Sequence, residues 1–135
     1  MGGHYLQRKN VARFKHLEIY QSAYKFTCEV YRIKQKLPKT LKFDLGEKTL
    51  NSCLKIIRGL VIANGTKDRV KVLLQVSLEI ETLWVFLRML FDFKGISRGE
   101  FEVLSNLLSN VAKQNQAWIK WSKEQLTKEK PISPS

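Results

Sequence analysis

Four stretches of the chain place apolar residues at alternating spacings of three and four, the rhythm of one helical face. Ile19, Ala23, Phe26, Val30, Ile33 and Leu37 make the cleanest seam and predict a helix from about Leu17 to Lys36. Leu17, Tyr20, Tyr24, Cys28 and Tyr31 add a second, aromatic row to it. Leu37-Pro38 ends it, because the residue before a proline is pushed out of the helical region. In the second stretch Leu50, Cys53, Leu54, Ile57, Leu60 and Val61 predict the buried face. Asp44 and Glu47 stand at capping-box positions before it, and Asn64-Gly65 is the stop.

The third stretch, Val70 to Phe93, holds no Gly and no Pro. At ~1.5 Å per residue it predicts a helix of roughly 35 Å. Val70, Leu73, Leu74, Ser77, Ile80, Glu81, Trp84, Leu87 and Phe91 form one face; Val72, Val76, Leu83, Phe86, Leu90 and Phe93 form a row beside it. A helix apolar over most of its circumference needs cover on more than one side, which predicts other helices and a second subunit. Phe93-Lys94-Gly95 closes it. Ser97 and Glu100 then form a capping box, with Ile96 and Phe101 at the staple positions. The fourth helix carries Phe101, Leu104, Leu107, Leu108, Val111, Trp118 and Ile119 on one side. The expected fold is an all-α, up-down-up-down four-helix bundle over residues 16–124, preceded by a basic arm at 1–15 and followed by a disordered tail at 125–135.

Charge changes the picture more than composition does. The chain of 135 residues has a net charge of +12. Residues 1–76 hold 16 of the 24 Lys and Arg and 5 of the 12 acids, so nearly all of the excess lies in the first half. Such an imbalance predicts a basic face and polyanionic partners, RNA or DNA. The candidate phosphate contacts are Arg8, Lys9, Arg13 and Lys15 in the arm, Lys25 and Arg32 in the first helix, Lys55 and Arg58 in the second, and Lys67, Arg69 and Lys71 at the start of the third. The last three oppose the helix dipole, which prefers acids there. The tyrosines of the first helix read either as core packing with hydroxyls at the rim or as stacking surfaces for bases. Glu81, Trp84, Phe86 and Arg88 are the candidate partner-facing residues of the third helix, with Arg88 either paired to an acid such as Glu81 or offered to a partner.

No catalytic set is visible, and neither a metal nor a cofactor is expected. His4 and His16 lie in or near the arm, no His pairs with Glu at metal-ligand spacing, and no glycine pattern matches a phosphate loop. Glu79 and Glu81, two apart on a helix, point in different directions. Cys28 and Cys53 have no metal-type spacing and fall at apolar positions, so both are expected as buried free thiols in a reducing, cytoplasmic setting. No apolar run is long enough to span a membrane. No secretory leader is expected, and Leu6 stands where a myristoylation signal needs Ser or Thr.

Several blocks, in order, resemble a known family. Leu17-Glu18-Ile19-Tyr20-Gln21, Leu37-Pro38-Lys39, Phe43-Asp44-Leu45-Gly46-Glu47-Lys48 and Val61-Ile62-Ala63-Asn64-Gly65 are similar to blocks of the four helix bundle proteins, which include those encoded in ribosomal-RNA intervening sequences. Within that group, the stretches Glu81 to Arg88, Ile96 to Glu102 and Trp118-Ile119-Lys120-Trp121 resemble the accessory variability determinant (Avd) proteins of diversity-generating retroelements. The resemblance covers roughly residues 16 to 122. It implies a barrel-like homopentamer that binds a reverse transcriptase and nucleic acid and supports mutagenic cDNA synthesis without being an enzyme. Arg88 lies in a Leu-Arg pair that matches the family pattern, whereas some relatives carry another Arg one turn earlier, where this chain has Trp84. The competing readings are a scaffold for an acidic protein and an rRNA-associated bundle without a polymerase partner.

Overall fold

The computed structural model describes residues 17–129, so the basic arm with Arg8, Lys9, Arg13 and Lys15 lies outside the described residues. Four long helices account for nearly all of the fold: α1 (Glu18–Lys36), α2 (Leu45–Asn64), α3 (Arg69–Asp92) and α4 (Arg98–Glu129). A one-turn helix, Lys39–Lys42, sits between α1 and α2. No strand occurs among the described residues. The helices pack in a ring: α1 on α2, α2 on α3, α3 on α4, and α4 back on α1. Short connectors make sequence neighbours antiparallel, so this is the expected up-down-up-down four-helix bundle.

Each helix feeds one seam into a shared core. The α1 seam is the one the pattern predicts: Ile19, Ala23, Phe26, Val30, Ile33 and Leu37 are all buried. In α3 the buried residues are Leu73, Val76, Ile80, Leu83, Leu87 and Leu90, which lie between the two expected rows and draw on both. Trp84, Phe86, Met89 and Phe91 pack partly buried against this core, whereas Leu74, Leu78 and Val85 are more than half exposed. The protomer thus covers most of the aromatic surface of α3 itself and leaves an outer aliphatic stripe.

The expected α2 face is rotated. Cys53 and Leu60 are buried as read, but Leu54 and Val61 are exposed, and Leu50 and Ile57 are only partly buried against the core. Leu45, Gly46, Thr49, Ser52, Ile56 and Ala63 complete the true seam. Small side chains are favoured there because α2 lies close to its neighbours. A Cβ on Gly59 would stand 2.6 Å from Cγ2 of Val76 on α3. A Cβ on Gly46 would stand 2.9 Å from Cδ1 of Leu37.

The helix ends differ in how they are closed. Ser97 and Glu100 form the reciprocal box at α4: the Ser97 amide donates to Oε1 of Glu100 at 2.9 Å, and the Glu100 amide donates to Oγ of Ser97 at 3.1 Å. Ile96 is buried, and Phe101 stacks on Phe91 with centroids 4.9 Å apart. The box expected at α2 does not form. Asp44 makes no side-chain cap bond and pairs with Lys48 at 3.2 Å, while Glu47 reaches Lys34 at 3.1 Å. At the end of α3 the Gly95 amide donates to the Leu90 carbonyl and the Lys94 amide to that of Phe91, the Schellman pattern. The left-handed residue is Lys94, at φ 63°, and not a glycine. Gly95 is needed for space, since a Cβ there would lie 2.8 Å from Cδ1 of Leu41.

Ser97→Ala should lower stability by about 1 kcal/mol, the usual cost of a lost N-cap bond. Asp44→Ala should cost well under half of that, because only an exposed ion pair is lost. Urea midpoints of the two variants, with unchanged slopes, check the contrast.

Candidate functional site

The cations of the described chain fall into two groups, those held by acids and those that are not. Arg32 is bound to Glu29 at 2.8 Å, Lys34 to Glu47, Lys48 to Asp44, and Arg88 to Asp92 at 3.1 Å. Lys55, Arg58, Lys67, Arg69 and Lys71 enter no ion pair among the described residues. All five belong to α2, to the turn after it, or to the first turn of α3. Other cations, among them Lys25 on α1 and Lys113 and Lys120 on α4, are likewise unpaired among the described residues; these five leave unneutralised positive charge where α2 and α3 meet.

There the helices enclose a surface groove of about 360 Å³. Gly59, Ile62, Val72 and Val76 give it an apolar lining; Lys55, Arg58 and Lys71 supply positive charge, Gln75 and Glu79 the remaining polar groups. The groove owes its depth to Gly59, which has no side chain to fill it. Long lysine and arginine stems can lie along such an apolar lining while their charged heads stay in water. An apolar groove edged by flexible cations can meet a phosphate backbone without reading its sequence.

Past this groove the bundle end carries Lys67 and Arg69. The Arg69 guanidinium lies over the rings of Trp118 and Trp121, at 5.6 and 5.8 Å from their centroids, and Nε donates to the Thr66 carbonyl at 3.3 Å. The first turn of α3 holds no acid, and Asp68 at its N-cap makes no side-chain cap bond.

Other expected site residues lie elsewhere. Arg32 lines a separate cavity between α1 and the start of α4, together with Glu29 and Glu100. Lys25, seven residues before Arg32 on α1, shares its face. The structure thus sets the α1 pair apart from the other five. Arg88 meets Asp92 and not Glu81, which is exposed; Trp84 and Phe86 are half-buried against the bundle's own core. Tyr24 and Tyr31 are exposed, so that part of the aromatic row of α1 is an outer face, while Leu17 and Tyr20 at its start are partly buried. Cys28, on that row, is exposed too, which corrects the expectation of a buried thiol.

Two features were not foreseen. Phe43 is exposed, with the Lys34 and Lys42 ammonium groups 5.7 and 5.6 Å from its ring centroid. Asn115 is fully buried in the α4 seam; its Nδ2 donates to the Leu73 carbonyl at 3.1 Å and to Oγ of Ser77 at 2.9 Å, which ties α4 to α3 in one register. A polar residue in an apolar seam is the signal that marks it.

Among the described residues no group of three or more His, Cys, Asp and Glu is placed to hold a metal. Among them, too, no helix is long and apolar enough to cross a membrane. Burial pushes the Cys53 thiol from its ordinary 9.0 up to about 12, against a weaker opposing pull from the Thr27 hydroxyl. Cys28 should therefore be alkylated in the native protein at pH 8, and Cys53 only after unfolding. A thiol held neutral in the fold also makes stability fall as pH rises past 9, where the unfolded chain ionises. Mass spectrometry of singly and doubly labelled chains checks the first point.

A family model described as bAvd-like matches residues 17–122. No curated protein is significantly similar to the chain.

Proposed function

The chain belongs to the bAvd-like family, and from that premise we propose that it is a non-enzymatic accessory protein of a diversity-generating retroelement. In this reading it binds nucleic acid and the reverse transcriptase and supports mutagenic cDNA synthesis, working in the cytoplasm as a homo-oligomer, with five subunits as the resemblance implies. The observation that carries the nucleic-acid part is the cluster of Lys55, Arg58, Lys67, Arg69 and Lys71, none of them paired to an acid among the described residues. Charges already tied to a neighbouring carboxylate offer little to a phosphate. Unpaired ones release counterions when they meet it. Lys25 and Arg32 lie apart, and Arg32 is held by Glu29, so they contribute less.

Self-association is supported by what the protomer leaves uncovered. Leu74, Leu78 and Val85 on α3 and Leu54 and Val61 on α2 are exposed, as are Tyr24 and Tyr31 on α1. Clustered apolar side chains on a small basic protein mark surfaces for protein partners.

Binding to RNA of arbitrary sequence should weaken steeply with salt, with a log–log slope of about −0.7 to −0.9 per phosphate contact. Replacing Lys55, Arg58 and Lys71 together by Gln should reduce the slope by roughly 2 to 3. A flat titration in the parent protein contradicts the reading. Light scattering at micromolar concentration should give a mass several times the 15.7 kDa of one chain; a stable monomer defeats the oligomer.

A further inference from the structure

At the end of the bundle where α2 stops and α3 begins, α4 runs on past both to Glu129. It walls a cavity of about 130 Å³ lined by Lys67, Arg69, Trp121, Ser122, Gln125 and Leu126. Ser122 is 3% exposed, and its hydroxyl has no hydrogen-bond partner. A buried hydroxyl left unbonded is costly, so a group of this kind at a cavity wall needs explanation. It is a donor in wait of an acceptor.

Everything else around the cavity favours an anion. Neither Lys67 nor Arg69 is paired to an acid among the described residues. Arg69 is also pre-positioned: two tryptophan rings and the Thr66 carbonyl hold its guanidinium, so little side-chain freedom remains to be lost on binding. Arg69 is also the first residue of α3, whose first turn holds no acid to cancel the positive end of its dipole. Asp68, the carboxylate nearest in sequence, is exposed and is not among the lining residues.

We propose that this cavity binds a phosphomonoester, with Lys67 and Arg69 matching its charge and Ser122 and Gln125 donating to its oxygens. The space admits a phosphate group and not a whole nucleotide, so the group enters end-on. Trp121, half exposed at the mouth, then offers its ring to the adjoining base. The proposal rests on the nucleic-acid reading only for the carrier of that phosphate, a strand terminus or a free nucleotide.

Indole N–H resonances of the full chain report the site directly. Inorganic phosphate, added against chloride at equal ionic strength, should shift the Trp121 and Trp118 signals saturably and leave Trp84 in place. A 5′-phosphorylated RNA should bind about tenfold tighter than the same RNA ending in a hydroxyl, the loss expected for one charge-assisted contact. Arg69→Gln should erase that preference, and Ser122→Ala, which keeps the charge and the tryptophan clamp, should reduce it. AMP that saturates the shift as tightly as the phosphorylated strand identifies a nucleotide as the source; a much weaker AMP identifies the strand end. No saturable shift with phosphate, together with equal affinity for the two RNA ends, overturns the proposal. If RNA binding itself keeps its salt dependence in that case, the groove reading stands without this cavity. A saturable phosphate shift with no RNA binding overturns the groove reading instead.

Discussion

The narrowness of the core seam governs this molecule. Each helix buries a single stripe of side chains spaced by three and four, and the four stripes meet along one axis. Leu60, Leu73, Leu83, Leu87 and Leu108 are completely shielded there. A stripe that narrow leaves most of each helix surface outside the core. The outer surface is then free to carry whatever partners require, and here it carries cations, five of them unpaired along the α2–α3 junction, together with uncovered aliphatic and aromatic side chains. The close fit of Gly59 against Val76 shows how the two levels connect. Bringing α2 and α3 together closes the core beneath them and leaves a groove above.

Charge pairing removes four cations from those available to a partner. Exposed ion pairs contribute little to stability, yet they neutralise the charge they involve. Glu29, Asp44, Glu47 and Asp92 each hold one cation of α1, α2 or α3. Along the α2–α3 junction no acid does the same. Arg69 is held by tryptophans, which fix its place without cancelling its charge. Of the nine first-half cations among the described residues that no acid holds, five lie along that junction, and Lys25, Lys36, Lys39 and Lys42 lie outside it.

The α1 seam and the α4 capping box were legible in the sequence because each has a single solution. Only one row on α1 runs through Ala23 and Phe26 at unbroken spacing, and the polar residues Ser97 and Glu100 have no competing partner. On α2 the pattern is ambiguous. Leu50, Leu54, Ile57 and Val61 make one plausible stripe, and Cys53, Ile56 and Leu60 make another. What selects the second is the set of small residues beside it, Gly46, Thr49, Ser52 and Ala63, and hydrophobicity alone does not register their fit against neighbouring helices. Asn115 was hidden for the opposite reason: it is polar, and only the nearness of Ser77 and the Leu73 carbonyl explains its burial. The cation cluster was legible as a set of residues but not as a place. Lys25 and Arg32 look equivalent to Lys55 and Arg58 until the ring order of the helices separates them.

Lysine footprinting tests the central claim most directly. Acetylation rates of the native protein, measured residue by residue by mass spectrometry with and without bound RNA, report which ammonium groups the polyanion covers. The account predicts strong protection of Lys55, Lys67 and Lys71, with Lys25 and Lys113 reacting at nearly their free rates. Unchanged rates at the α2–α3 junction while RNA is bound, or protection centred on the α1–α4 side, would contradict it.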